Sequence, residues 1–289
     1  MLYCKQPEKM KTCGYCGREN EDVAMYCLEC GTPLVNSPPC ELPVSDEEKT
    51  WIEDSLQWFL NEFGAKLFLS RHVILPEQSF FPDRYKGTEE CVKKLVRRIC
   101  YYMNVDPEGI EISFLSQPED LAAKHRAGMD REERGAAGLY YHGTDSRPKP
   151  TIAINESQLK QPMSLVATIA HELGHVILLG GQRISRDRED HEYLTDLITV
   201  FLGLGIFTAN SAFTFSQWQD HSHQGWRASR QGYMSEEMFA YALACCAWMR
   251  NDLKPDWTKH LSTNVRAYFK DSLKYFSKGG KTNLQVPRA

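Results

Sequence analysis

The segment MSLVATIAHELGHVILLG, residues 163–180, is apolar on almost every face and yet carries two histidines and a glutamate. A helix that is apolar all round is a buried helix. Imidazoles and a carboxylate buried in it are costly unless something polar meets them. This segment therefore sets two constraints: it is a central helix, and partners converge on His171, Glu172 and His175. Positions i and i+4 share a helix face, so both imidazoles can bind one ion. Glu172 lies about 100° further round and reaches an open coordination position without being a ligand, as a general base acting on metal-activated water requires.

A catalytic zinc needs a third protein ligand. Leu178 and Gly181 stand where a metzincin carries Gly and His, which excludes that family. The candidates lie in DHEYLTDLITVFLG, where Glu192 and Asp196 are four apart on a second apolar helix. The residues alone leave Glu192, Asp196 and the adjacent His191 open. The order HExxH followed by Glu-x-x-x-Asp resembles the gluzincins, the thermolysin-like zinc peptidases. That resemblance spans roughly residues 150–250. It implies that His171, His175 and Glu192 bind zinc, that Asp196 orients His171 through its other ring nitrogen, and that Glu172 is the general base. It also implies that Thr151–Ile154 is an edge strand that pairs with an extended peptide or protein substrate. Electrophilic help for an oxyanion comes from a His, Tyr or Arg facing the metal. The polar segment HSHQGWRASRQGYMSEE supplies Tyr233 and His223 for that role.

A second metal site is written at the N-terminus. Cys13-x-x-Cys16 and Cys27-x-x-Cys30 are separated by the ten residues 17–26. Four thiolates suit a tetrahedral structural zinc, and Gly14, Gly17 and Gly31 suit the tight turns around it. A unit of this size has too little core to fold alone, so the metal supplies folding energy. The unit resembles the short zinc ribbons that precede larger domains, down to the trailing CGTPL. Residues 1–40 hold four Lys/Arg and five acids, so the ribbon lacks the basic patch that nucleic acid demands. It reads as a module for a protein partner or for the neighbouring domain.

The rest of the chain is organised around these two sites. The expected division is a ribbon at 1–35, a Pro-containing linker at 36–46, a zincin-like α+β domain at 47–278 and a flexible tail at 279–289. Ser45 and Glu48 form a capping box for a helix over 46–63 that Gly64 stops. A β-rich stretch KLFLSRHVIL follows, then a helix at 88–103, a turn at Asp106–Gly109 and the strand IEISFL. Residues 118–137 read as a charged loop, and Leu139–His142 and Thr151–Ile154 as short strands. Helices are expected at 162–179, 189–206, 235–251 and 256–277. The last 40 residues carry nine Lys/Arg and three Asp, read as the solvated face of a terminal helix.

A formal charge of −4 and a pI near 6.2 give no global field for nucleic acid. Neither a secretory h-region nor an apolar run of about 18 residues is evident, Leu194–Phe207 being the longest candidate; a cytoplasmic protein without a membrane span is expected. The functional expectation is a zinc metallopeptidase, a hydrolase with two Zn2+ per chain, one structural and one catalytic. The alternative is a non-catalytic scaffold whose HExxH zinc is structural and whose ribbon recognises a partner.

Overall fold

The computed structural model describes residues 10–13, 16–21, 24, 27–29, 34, 42–115, 138–143, 148–220 and 234–285. It is α+β. A two-stranded antiparallel ribbon, β1 (Met10–Thr12) and β2 (Glu19–Glu21), is followed by a helical body with one three-stranded sheet.

The body opens with α1 (Asp46–Phe63), capped as expected: Ser45 Oγ accepts from Glu48 N and Glu48 Oε2 accepts from Ser45 N at 2.8 Å. Gly64, at φ +89°, ends it. The stretch expected as β-rich is instead a short helix, α2 (Ala65–Ser70), followed by extended chain. Its apolar residues find helical partners: Phe68 stacks on Phe201 at 5.2 Å, and the Arg250 guanidinium lies 4.2 Å over the same ring. Side-chain packing here overrides strand propensity.

Next come α3 (Glu89–Met103), β3 (Glu111–Leu115), β4 (Gly138–Tyr141) and β5 (Thr151–Asn155). The sheet order is β3-β5-β4, with β3 parallel and β4 antiparallel to β5, so Ile152 sits between Ile112 and Tyr140. Thr151–Ile154 is therefore a central strand, not the expected edge. With Ile152, Ala153 and Ile154 fully buried, it is the most apolar of the three and takes the middle. The edge beside the central helix belongs to β4. Residues 118–137 lie outside the described residues.

The central helix α4 (Pro162–His175) continues as one π-helical stretch, Val176–Gly180. From Leu165 to His175 every residue is buried. Together, Pro162–Gly180 spans 19 residues and is long and apolar enough, by length and composition, to cross a membrane. This run is longer than Leu194–Phe207, and 67% of its apolar window is covered by the rest of the fold.

The helix expected over 189–206 is two helices, α5 (His191–Phe201) and α6 (Gly205–Asp220). Gly203 breaks them at φ +95°, where a Cβ would stand 2.2 Å from the His72 carbonyl. The crossing of segment 72–73, invisible in the sequence, sets the break. Then α7 (Glu236–Met249) and α8 (Thr263–Ser277) pair along their lengths. Cys245 and Cys246 are buried in α7 as small apolar side chains. The start of the last expected helix is a 3-10 turn, Asp256–His260.

Residues 280–285, part of the expected flexible tail, pack back on α1. Leu284 is buried, Asn283 N donates to Glu53 Oε2 at 2.8 Å and Gln285 N to Gln57 Oε1 at 3.1 Å. Glu53 is fully buried and also accepts from Tyr241 Oη at 2.6 Å, with Lys49 Nζ 3.2 Å away. One carboxylate thus ties α1, α7 and the C-terminal segment together.

The α4–α5 crossing is close because Gly174 has no side chain. A Cβ there would stand 2.8 Å from Thr195 Cγ2, 3.0 Å from the Thr195 carbonyl and 3.2 Å from Ile198 Cγ2. Gly174→Ala forces the helices apart, with an expected loss of about 1–3 kcal/mol. Thermal melts of both proteins in chelator check this, and an unchanged melting temperature refutes it.

Candidate metal centre

Helices α4 and α5 bring the sequence-predicted residues into one cluster, with the two histidines buried and Glu192 partly exposed. His171 and His175 project from one face of α4, and Glu192 enters from the first turn of α5. Its Oε2 lies 3.0 Å from His171 Nε2 and 3.3 Å from His175 Nε2. Two ligand atoms held about 2.05 Å from a tetrahedral ion are about 3.3 Å apart. The three donors therefore have the chemistry and the spacing of a metal site, all lying within 4.8 Å of one another.

The opposite ring nitrogens are equally constrained. His171 Nδ1 donates to Asp196 Oδ1 at 2.8 Å, while Asp196 Oδ2 accepts from Met234 N at 2.9 Å. Asp196 thus meets the far side of the ring that Glu192 meets on the near side. Thr195 Oγ1 donates its one proton to the His191 carbonyl at 2.8 Å, so towards His175 Nδ1, 3.2 Å away, it is the acceptor. Both imidazoles then carry hydrogen on Nδ1 and direct Nε2 at Glu192. The Tyr140 ring stacks on His175 at 5.7 Å and 24°, and its hydroxyl bonds His142 Nδ1 at 3.1 Å.

Charge follows from this packing. Burial opposes a proton on His171, but Asp196 and Glu192 outweigh it and raise its pKa well above the ordinary value. Burial lowers the His175 pKa. Burial alone would raise the Glu192 pKa; His175, His171 and His191 hold it well below the carboxylate range instead. Two carboxylates thus favour positive charge at His171 Nε2, where a metal ion would replace the proton.

Glu172 is buried, and β4 passes directly over it. A Cβ on Gly138 would stand 3.0 Å from Glu172 Oε1 and 2.6 Å from Thr168 Cγ2. His191, a candidate ligand in the sequence, contacts the other oxygen of Glu192, with Nε2 3.1 Å from Oε1, and its Nδ1 bonds the Arg188 carbonyl at 2.8 Å. Tyr233 and His223 lie outside the described residues. Sequence reasoning missed Thr195 and Tyr140. Thr195 had a signal, four residues after His191 on the face of Glu192; Tyr140 had none, because its position depends on strand order.

In the ribbon, Cys13, Cys16 and Cys27 form a second group able to hold a metal ion; Cys30 lies outside the described residues. The Cys16 and Cys27 sulfurs are 3.5 Å apart, too far for a disulfide and near the roughly 3.8 Å between thiolates on one tetrahedral ion. Gly17 takes φ +75° in the first knuckle, and Asn20 Nδ2 contacts Cys27 Sγ at 3.7 Å.

Compared with known protein families, with curated proteins and with solved structures, the chain shows no match.

Proposed function

We propose that this chain is a zinc-dependent peptidase whose catalytic centre is held by His171, His175 and Glu192. The observation that carries this reading is the convergence of both Nε2 atoms and the Glu192 carboxylate, with Asp196 behind His171 and Glu172 beside the cluster. A zinc ion bound there supplies Lewis acidity towards water and a carbonyl oxygen. The chain's own residues do the rest. Glu172 takes the proton from the attacking water and returns it to the leaving amine. Asp196, Thr195 and Tyr140 hold the two imidazoles in the ligating tautomer and orientation. With Thr151–Ile154 central in the sheet, the substrate backbone lies along the outer edge of β4, which has no partner strand among the described residues. Gly138 brings that edge over Glu172.

The ribbon is read as a second, structural zinc site serving a protein partner or the adjoining domain. Metal analysis of protein purified without added metal is expected to find two zinc ions per chain, and one in Cys13→Ser. A fluorogenic peptide library then tests hydrolysis. Zinc at HExxH without cleavage of any peptide would favour the scaffold reading. Deleting residues 1–40 with every interaction and activity unchanged would remove the ribbon's role.

A further inference from the structure

Away from the metal centre, a cavity of about 400 Å3 opens between the segment 76–85, α3 and the first turns of α4. That volume lies in the range of small-molecule sites, roughly 300–1,000 Å3. Its inner wall is apolar, formed by Phe81, Leu95, Val166 and Phe207, with the more exposed Met163 at the rim. Val166 is five residues from His171, about 7.5 Å along the helix axis. None of the metal-centre residues lines the cavity.

The mouth is cationic. It continues past Asp83, Lys94 and Arg98 into a shallower depression of about 320 Å3 that Arg97 and Tyr101 complete. Four cations, Arg84, Lys94, Arg97 and Arg98, border the joined space against two acids, Glu77 and Asp83. Both acids are engaged: His260 Nε2 lies 3.0 Å from Glu77, and Arg98 is 2.6 Å from Asp83. Lys94 and Arg97 pair with Glu90 and Glu108, whose side chains are 79% and 75% exposed, where pairing is weak. Arg84 is exposed and makes no ion pair among the described residues. An apolar interior behind a mouth with surplus positive charge matches a ligand with a hydrocarbon body and one anionic head.

We propose that this cavity is a binding site for a medium-chain carboxylate, its chain against Phe81, Leu95 and Val166 and its head among the cations at the mouth. The assignment is independent of the peptidase reading. Cys91, in the cavity wall, reports on it. The Thr88 hydroxyl and the Lys86 backbone lower its thiol pKa, which favours alkylation.

The experiment uses the full, metal-loaded chain and follows iodoacetamide alkylation at the Cys91 peptide by mass spectrometry, with decanoate or its neutral amide present. Decanoate is expected to slow alkylation at saturation by about tenfold or more, and decanamide to bind about tenfold more weakly, one charge-assisted contact being worth that factor. Arg84→Glu, a surface change that leaves packing intact, lowers decanoate affinity by a similar factor. Met163→Trp, at a position 40% exposed on the rim, blocks entry and removes protection. Alkylation unaffected by decanoate overturns the proposal. So does equal protection by acid and amide, or unchanged decanoate affinity in Arg84→Glu.

Discussion

Glu172→Gln is expected to reduce peptide hydrolysis by about 10²- to 10⁴-fold while leaving both zinc ions in place. The amide keeps the size and much of the hydrogen bonding of the carboxylate but cannot accept a proton from water. Glu172 lies next to His171, yet the group that closes on both imidazoles is Glu192, so the donor set survives the change. The measurement pairs single-turnover cleavage with metal content and a melting curve. Loss of zinc with the activity would make Glu172 a ligand. Undiminished cleavage would place the general base elsewhere.

Asp196→Asn should weaken zinc at this site by about 10- to 100-fold, the usual cost of losing the group that orients a ligating histidine. Asp196 accepts twice, from His171 Nδ1 and from Met234 N. An asparagine has one acceptor oxygen, so its NH2 must face one of these donors. Leaving a buried donor unpaired costs about 1–3 kcal/mol, visible as a lower melting temperature. Glu192→Gln should be the more damaging of the two for metal, because it removes the only carboxylate that meets both Nε2 atoms among the described residues. Competition with a chromogenic chelator measures both affinities. Complete loss of zinc in Asp196→Asn with retention in Glu192→Gln would reverse the two roles.

Much of the site was legible in the chain because helical periodicity is local. His171 and His175 share a face of an α-helix, and Glu192 and Asp196 share one on the next helix. Ser45 and Glu48 announced α1 for the same reason: a capping box closes within four residues. Failures came where distant chain segments decide. The apolar runs LFL and VIL in KLFLSRHVIL read as β-rich, yet Phe68, stacked on Phe201 and covered by the Arg250 guanidinium, lies in the short helix Ala65–Ser70, and only the second run is extended. The run from Leu194 to Phe207 suits one long helix, and only the His72 carbonyl under Gly203 divides it.

The sequence by itself singled out two groups of residues able to hold a metal ion and placed the His/Glu group on helices. Two CxxC pairs and an HExxH with a trailing Glu-x-x-x-Asp need only short-range spacing to be read. Tertiary structure alone decided how those residues meet. Gly174 lets α4 and α5 approach closely enough for Glu192 to reach both imidazoles, and Thr195 then fixes the tautomer of His175. Strand order puts Thr151–Ile154 in the middle of the sheet and leaves β4, above Glu172, at one edge with no further partner strand among the described residues. Such features depend on contacts between segments far apart in the chain. Their free energies are set by packing and desolvation, which no local pattern records.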